Sequence, residues 1–190
     1  HSIAGIGHNV TILTGRGDLA EELSDPTALC DILEILNPSH IIIGPGPGTP
    51  SDSLLSKAIS THALAQQIDC SVLGICLGHQ SIAEMVNGTV VKSPNGAVHG
   101  TPISCNHDGK GVFEGLSSPQ NFTRYNSLTV NIDEENSPLS ISARDENGEI
   151  MALRHDSLPI FSVQFHPESI GSPNGKRLLE NFLKFNRMLE

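Results

Sequence analysis

The stretch Ser71-Val-Leu-Gly-Ile-Cys-Leu-Gly-His-Gln80 opens with a continuous apolar run and passes into a segment with helical spacing. A short apolar run of this kind predicts a strand buried on both faces over Ser71–Ile75, followed by a helix over residues 78–86. Cys76 lies at the junction, with a glycine two residues before it and another two residues after it. Because this is the spacing of the nucleophile turn G-x-S-x-G, with cysteine replacing serine, we predict that Cys76 is a nucleophile.

Two physical arguments support this interpretation of Cys76. Glycines at positions 74 and 78 remove side chains that would collide with the neighbouring strand and helix in a strained turn. The unpaired N–H groups at the start of the following helix favour a thiolate. The alternative is a small buried hydrophobic side chain, the usual role of a free cysteine. That alternative is our interpretation of the remaining cysteines, which lack flanking glycines: Cys30, Cys70 and Cys105.

Further strands and helices are predicted on both sides of this stretch. Continuous apolar runs predict strands at residues 10–14, 40–44 and 160–165. Helical spacing predicts helices over Pro26–Leu36, from a cap at Ser51 or Asp52 to about residue 67, and over residues 174–189. Short runs separated by Asn, Asp and Gly turns predict antiparallel strands at residues 98–104, 122–130, 140–143 and 150–154.

This order of elements predicts the fold class. We expect an α/β fold, with a central mostly parallel sheet flanked by helices and extended by antiparallel strands. The length of 190 residues fits one domain over residues 1–190. Residues 2–7 have the pattern of the end of a helix that should follow a strand, and no strand precedes them in the sequence.

Charge and composition exclude several classes of partner. Eleven Lys and Arg residues against 21 Asp and Glu residues give a net charge of −10, which disfavours nucleic acid and anionic membranes as partners. The longest strongly apolar runs, such as residues 41–43, are far too short to cross a bilayer. The start lacks a basic cluster followed by an apolar block, so we expect a cytoplasmic protein. Without a C-x-x-C pair or paired histidine spacing, we expect neither a metal site nor a cofactor.

A base for the nucleophile is predicted in Val163-Gln-Phe-His-Pro-Glu168, at the end of another apolar run. Residues two apart in an extended chain point to the same side, so Glu168 can orient the ring of His166. Cys76 and His166 both follow strands, and the carboxyl ends of parallel strands form the edge where α/β active sites lie. The alternative for His166 and Glu168 is a surface histidine beside a helix-capping glutamate.

The loop Gly44-Pro-Gly-Pro-Gly-Thr-Pro50 also follows a predicted strand. Because it is rigid and has no large side chains, it can present a backbone N–H at close range, beside the N–H of Leu77, as an oxyanion hole requires. It lacks the spacing and the lysine of a phosphate-binding loop. A simple tight turn is the alternative.

Five ordered motifs, covering nearly the whole chain, resemble one family. They are Pro45-Gly-Pro-Gly-Thr-Pro50, Gly74-Ile-Cys-Leu-Gly-His-Gln80, His99-Gly100, Arg124-Tyr-Asn-Ser-Leu128 and Phe165-His-Pro-Glu-Ser169. Together they resemble the class I glutamine amidotransferases, and within these the glutaminase subunits of anthranilate synthase and aminodeoxychorismate synthase. The resemblance implies hydrolysis of L-glutamine, with the ammonia passed to a synthase subunit that aminates chorismate in a hetero-oligomer.

The resemblance also implies roles for individual residues. Cys76 would form the glutamyl thioester, His166 would act as acid and base, and Glu168 would orient it. The backbones of Gly48 and Leu77 would form the oxyanion hole. The residues implied to hold the amino-acid end of glutamine are Gln80, Ser127 and Leu128, with Gly46 nearby.

The chain departs from the family pattern in two places. Asn126 stands where the family usually has histidine after the tyrosine of the fourth motif. The first strand of the family and its Asp-x-x-Asp-Ser-Phe stretch have no counterpart here, so we expect a domain that lacks its first strand. Three other functions stay open: a glutaminase domain of a GMP or carbamoyl phosphate synthase, a stand-alone cysteine hydrolase, and a non-catalytic regulatory subunit.

Overall fold

A computed structural model describes residues 8–15 and 17–185 of the chain. The helices of this part are α1 (Asp18–Glu22), α2 (Pro26–Leu36), α3 (Leu54–Leu64), α4 (Leu77–Met85) and α5 (Gly175–Phe182). The strands are β1 (His40–Ile43), β2 (Ser71–Ile75), β3 (Thr89–Lys92), β4 (Thr101–His107), β5 (Gln120–Arg124), β6 (Leu128–Asn131), β7 (Leu139–Asp145), β8 (Ile150–His155) and β9 (Ile160–Val163).

Seven strands form one mixed sheet in the order β1-β2-β9-β8-β7-β4-β5. The pairs β1–β2 and β2–β9 are parallel, and the remaining four pairs are antiparallel. A separate antiparallel pair, β3 with β6, packs near α4. The predicted α/β class is therefore confirmed, with a parallel half that carries β2 and β9 and an antiparallel half beyond it.

The parallel half is covered on both faces, as its continuous apolar strands predict. Val72 and Leu73 are adjacent in β2 and fully buried, yet they belong to two different hydrophobic clusters. Side chains alternate between the faces of a sheet, so each cluster fills one face. One contains Leu29, Ile59 and Ile82, and the other contains five buried phenylalanines, Phe113, Phe122, Phe161, Phe165 and Phe182.

Local sequence signals account for the helix α2. Asp25 caps it, because its carboxylate accepts hydrogen bonds from the backbone N–H groups of Thr27 and Ala28 at 2.9 and 3.1 Å. Pro26 occupies the first turn, where its missing N–H costs nothing. Asn37 ends the helix in the left-handed conformation. The predicted bounds Pro26–Leu36 are confirmed.

The strand predicted at residues 10–14 is absent from the described residues. Val10 is 50% exposed and Ile12 86% exposed, and neither belongs to a strand. The prediction was wrong because an apolar run becomes a strand only when a neighbouring strand satisfies its backbone groups. Residues 2–7, where the end of a helix was predicted, lie outside the described residues.

Other boundaries differ from the prediction for identifiable reasons. The start of α3 moves to Leu54, capped at Ser53, because Pro50–Asp52 forms a 3₁₀ turn. The strand predicted at residues 98–104 begins at Thr101, because Gly100 before it has a φ of +72°. Residues 122–130 form two strands in different sheets rather than one. The helix predicted to residue 189 ends at Phe182, with residues 186–190 outside the described part. Within that part, no helix has the length and apolarity that a bilayer span requires.

Candidate active site

Cys76 occupies a strained turn between β2 and α4. Its φ of 53° and ψ of −98° lie where residues other than glycine seldom occur. A Cβ at Gly74 would lie 2.6 Å from the backbone of Gly78, and a Cβ at Gly78 would collide with the carbonyl oxygen of Ile43. Both glycines are therefore required for α4 to approach the strands so closely, which confirms the steric argument from the sequence.

His166 and Glu168 form a hydrogen-bonded pair just beyond β9. The Nδ1 of His166 lies 2.7 Å from Oε1 of Glu168, with the histidine side chain 12% exposed. A carboxylate on Nδ1 fixes the ring so that Nε2 is the nitrogen available for proton transfer. The predicted pairing of these two residues is confirmed.

The electrostatics of His166 favour an imidazolium. Burial lowers its pKa, but hydrogen bonding with Cys76 and with Glu168, together with the negative charges of both, outweighs burial and raises the pKa of His166 to about 9. Nε2 is buried and has no hydrogen-bond partner of good geometry among the described residues. We therefore interpret the influence of Cys76 as that of a nearby negative sulfur rather than of a formed hydrogen bond. The ring of His166 is therefore protonated at neutral pH and lies near the sulfur of Cys76.

The backbone of His166 is held on both sides. Its N–H donates to the carbonyl of Thr123 at 2.9 Å, and its own carbonyl accepts from the hydroxyl of Ser172 at 2.7 Å. The same hydroxyl accepts from the N–H of Thr123 at 3.0 Å. The ring of Tyr125 lies edge-on to the His166 ring at a centroid distance of 5.0 Å. Sequence reasoning missed Thr123 and Ser172, because nothing in their local sequence marks them.

The loop between β1 and α3 packs against the nucleophile turn. A Cβ at Gly46 would lie 2.9 Å from Cδ2 of Leu77, and Gly48 has a φ of +87° beside the carboxylate of Asp52. The N–H of Thr49 donates to that carboxylate at 2.7 Å, and proline has no N–H to offer. Between residues 45 and 50, the backbone N–H groups of Gly46 and Gly48 therefore remain as candidates for an oxyanion hole.

Gln80 lies inside the molecule, one turn beyond Cys76 on α4. Its Nε2 donates to Oε1 of Gln164 at 3.1 Å, and both side chains are buried. Nε2 of Gln164 has no hydrogen-bond partner among the described residues. Sequence reasoning did not single out Gln164, although it stands two residues before His166.

Ser127 ends the turn that links β5 to β6, and Leu128, the next residue, begins β6. The carbonyl of Ser127 accepts from the N–H of Ser93 at 2.9 Å. The carbonyl of Leu128 accepts from the side-chain amide of Asn126, which in turn accepts from Nε of Arg124 at 3.0 Å. The turn follows directly from Tyr125, whose ring lies edge-on to the ring of His166.

The remaining histidines and cysteines do not form a second centre. His79 is fully buried, which lowers its pKa to about 3, and its Nδ1 lies 2.8 Å from the hydroxyl of Ser162. It is therefore neutral at pH 7 and is a much weaker base than His166. Burial raises the pKa of the Cys105 thiol to about 12. No group of side chains with metal-binding geometry occurs in the described ranges, 8–15 and 17–185.

Comparison of the sequence with known proteins identifies a family and several relatives. The model of the family "Glutamine amidotransferase class-I" matches residues 1–185. The aminodeoxychorismate/anthranilate synthase component 2 of Bacillus subtilis (strain 168) is 41% identical over 174 residues, 90% of this chain and 88% of the relative. The aminodeoxychorismate synthase component 2 of Escherichia coli (strain K12) is 40% identical over 166 residues, 87% of this chain and 86% of the relative.

The fold has a counterpart among solved structures. A putative GMP synthase subunit from Thermoplasma acidophilum superposes with a TM-score of 0.71, covering 90% of both chains, at 17% sequence identity. At that identity the likeness concerns the fold alone.

Proposed function

The chain belongs to the class I glutamine amidotransferases, and from that premise we propose that Cys76, His166 and Glu168 hydrolyse L-glutamine for a synthase subunit that aminates chorismate. The observation that carries the proposal is the convergence at one sheet edge of a strained cysteine turn and a histidine whose Nδ1 is bound to Glu168. The names of the relatives support the choice of synthase, because they are second components of anthranilate and aminodeoxychorismate synthases.

The first half-reaction forms a thioester. The Cys76 thiolate attacks the side-chain carbonyl carbon of glutamine, and the negative charge passes to the carbonyl oxygen, where the N–H groups of Gly48 and Leu77 stabilise it. The His166 imidazolium then gives its Nε2 proton to the amide nitrogen, the C–N bond breaks, and ammonia leaves. Neutral His166 and a glutamyl thioester on Cys76 remain.

The second half-reaction restores the enzyme. His166 takes a proton from water through Nε2 while the oxygen attacks the thioester carbon. Collapse of the second tetrahedral intermediate breaks the C–S bond, releases glutamate, and regenerates the thiolate beside the imidazolium. Glu168 stays ionised throughout and holds the ring. Gln80 and the turn at Ser127 and Leu128 hold the amino-acid end of the substrate, with Gly46 beside them.

The test distinguishes the reaction assigned to this chain from the reaction assigned to the synthase subunit. In a complex with the synthase subunit of the same organism, Cys76→Ser should abolish glutamine-dependent amination of chorismate and leave the ammonium-dependent reaction intact. Cys30→Ser is the matched control, since Cys30 lies half-buried away from the turn, and it should retain both activities. Retention of the glutamine-dependent reaction in Cys76→Ser would overturn the assignment of the nucleophile. Loss of both reactions in an intact Cys76→Ser complex would overturn the assignment of glutamine hydrolysis to this chain and of chorismate amination to the synthase subunit.

A further inference from the structure

We propose that Asn126 is a positioning residue that fixes the turn at Ser127 and Leu128 for binding the amino-acid end of glutamine, with Arg124 as its anchor. The inference rests on the proposed function, since it assigns the turn to glutamine. It concerns the position at which this chain departs from the family pattern of the fourth motif.

The side-chain amide of Asn126 has only one orientation that satisfies its neighbours. Arg124 can only donate hydrogen bonds, and it donates from Nε to Oδ1 of Asn126 at 3.0 Å. The carbonyl of Leu128 can only accept, and it accepts from Nδ2 of Asn126. Asn126 is buried, so water cannot replace either bond without entering the interior. Asn126 therefore couples the arginine to the backbone of Leu128.

Each of the three guanidinium nitrogens of Arg124 donates a hydrogen bond. Nη1 donates to Asp145 at 3.1 Å and Nη2 donates to Glu149 at 2.9 Å, while Nε serves Asn126. The side chain is 2% exposed. Because two carboxylates fix the guanidinium plane, Asn126 is bonded to a group that does not move.

The turn is fixed from its outer side as well. The carbonyl of Asn126 accepts from the N–H of Val98 at 3.0 Å, and that of Ser127 accepts from the N–H of Ser93 at 2.9 Å. With Leu128 bonded to the Asn126 side chain, three consecutive carbonyls have defined partners. Of these three bonds, the one to Leu128 is the only one made by a side chain of the turn itself.

Different hydrogen bonds hold the triad, although the ring of Tyr125, the residue before Asn126, also lies edge-on to the His166 ring. Thr123 and Ser172 hold the backbone of His166, and Glu168 holds its ring. Loosening the turn should therefore weaken the binding of glutamine more than the reactivity of Cys76. This separation makes the inference testable, because a merely structural role would affect both.

The test compares two electrophiles that react with Cys76. A glutamine-like chloroketone needs the site for the amino-acid end of glutamine, whereas iodoacetamide needs only the thiolate. In Asn126→Ala the rate constant for the chloroketone, divided by that for iodoacetamide, should fall about three- to tenfold, the range expected for one net hydrogen bond. In the glutaminase assay of the complex, KM for glutamine should rise by the same factor, with kcat within about twofold of the wild type.

Asn126→Asp separates the two bonds of the amide. The aspartate keeps the shape of the side chain and the acceptor for Arg124, but it places an oxygen against the carbonyl of Leu128. It should lose at least the same factor as Asn126→Ala, because the bond to Leu128 is lost and the new oxygen repels the carbonyl of Leu128. It also serves as the measured variant if Asn126→Ala fails to fold.

Asn181→Ala is the matched control. Asn181 on α5 is equally buried and donates to the backbone carbonyls of Val112 and Glu114 at 3.1 and 2.7 Å, away from the turn. It should lower stability without changing the ratio of the two rate constants. The inference would be overturned if the ratio of the chloroketone and iodoacetamide rate constants stayed unchanged in Asn126→Ala or in Asn126→Asp. It would also be overturned if the ratio fell equally in Asn181→Ala. Failure of wild-type Cys76 to react faster than the other cysteines would instead overturn the proposed function.

Discussion

His166 combines two opposing influences within one side chain. Burial favours the neutral ring, and the neighbouring Cys76 and Glu168 favour the charged ring strongly enough to raise the pKa to about 9. An imidazolium at neutral pH has its Nε2 proton in place before substrate arrives. The first proton transfer, to the departing nitrogen, can then follow attack without a separate protonation step.

The origin of this shift can be measured by following the ring signals of the histidines against pH. We expect His166 to titrate near pH 9, and Glu168→Gln to lower its pKa because the substitution removes a negative charge and weakens the acceptor at Nδ1. His79, whose pKa burial lowers to about 3, should stay neutral over the same range and serve as an internal reference. An unchanged midpoint in Glu168→Gln would show that the carboxylate does not set the charge state of His166.

The same shift has a consequence for stability. The pKa of His166 rises from about 6.5 to about 9 on folding, so its contribution to the free energy of unfolding is complete below pH 6.5 and is lost as the pH rises through 9. Glu168→Gln should flatten this decline on the alkaline side.

At the scale of elements, the active site is a junction between β5, in the antiparallel half of the sheet, and the segment that leaves β9. Thr123 of β5 pairs with His166, and the hydroxyl of Ser172 joins the backbones of both. The two segments are far apart in the chain, and the folded structure brings them together through the backbone bridge between Thr123 and His166. The position of His166, the proposed base, therefore depends on its backbone contact with Thr123 as much as on its local sequence.

Ser172→Ala tests that junction. The buried N–H of Thr123 loses its partner, which should cost about 1–3 kcal/mol of stability, and kcat should fall several-fold because the segment carrying His166 loosens. Ser60→Ala is the control: Ser60 is equally buried, but its hydroxyl bonds a carbonyl within its own helix, that of Ser56 at 2.8 Å. Urea unfolding and glutaminase assays on both variants give the two readouts. Equal losses in the two variants would contradict a special role for the junction.

The elements also show which parts of the molecule the sequence could predict. β2 and α2 have the predicted bounds because their signals are local: a continuous apolar run in one, a capping aspartate and proline in the other. The strand predicted at residues 10–14 was wrong because strand formation depends on a partner that local sequence does not report. The strained turn at Cys76 and the hydrogen bond between His166 and Glu168 were predictable from glycine spacing and from a short extended segment. Ser172 was not, since its role arises from contact with Thr123, 49 residues away in the chain.

For the molecule as a whole, the buried charges around Arg124 connect the two sheets. Arg124 ends β5 and Asp145 ends β7 in the seven-stranded sheet. Glu149 accepts from Arg124, and its other oxygen accepts from Ser93 and Asn95, which follow β3 of the two-stranded sheet. Burial opposes ionisation of Glu149, but these hydrogen bonds and the guanidinium charge outweigh it and lower its pKa. Arg124 thus links the small sheet and the turn at Ser127 and Leu128 to the large sheet, in addition to the apolar packing of Val90 and Val130.

Arg124→Met should therefore destabilise the whole molecule, because it leaves two buried carboxylates without their cation. We expect a loss of about 3–5 kcal/mol in urea unfolding at pH 7. Arg144→Met is the matched control: Arg144 pairs with Glu134 at 2.5 Å on the surface, with side chains 39% and 61% exposed, and its loss should cost about 0–1 kcal/mol.

The pH dependence of the stability lost in Arg124→Met identifies the cause of that loss. The lowered pKa of Glu149 means that its ionised form contributes stability above its unfolded value of about 4.5, a contribution lost as the pH falls through the lower folded value. Without Arg124 the carboxylates protonate more readily, so the difference between wild type and Arg124→Met should shrink as the pH falls from 7 to 4. A difference that stays constant over this range would mean that the methionine acts through packing, and that the buried ions do not hold the two sheets together.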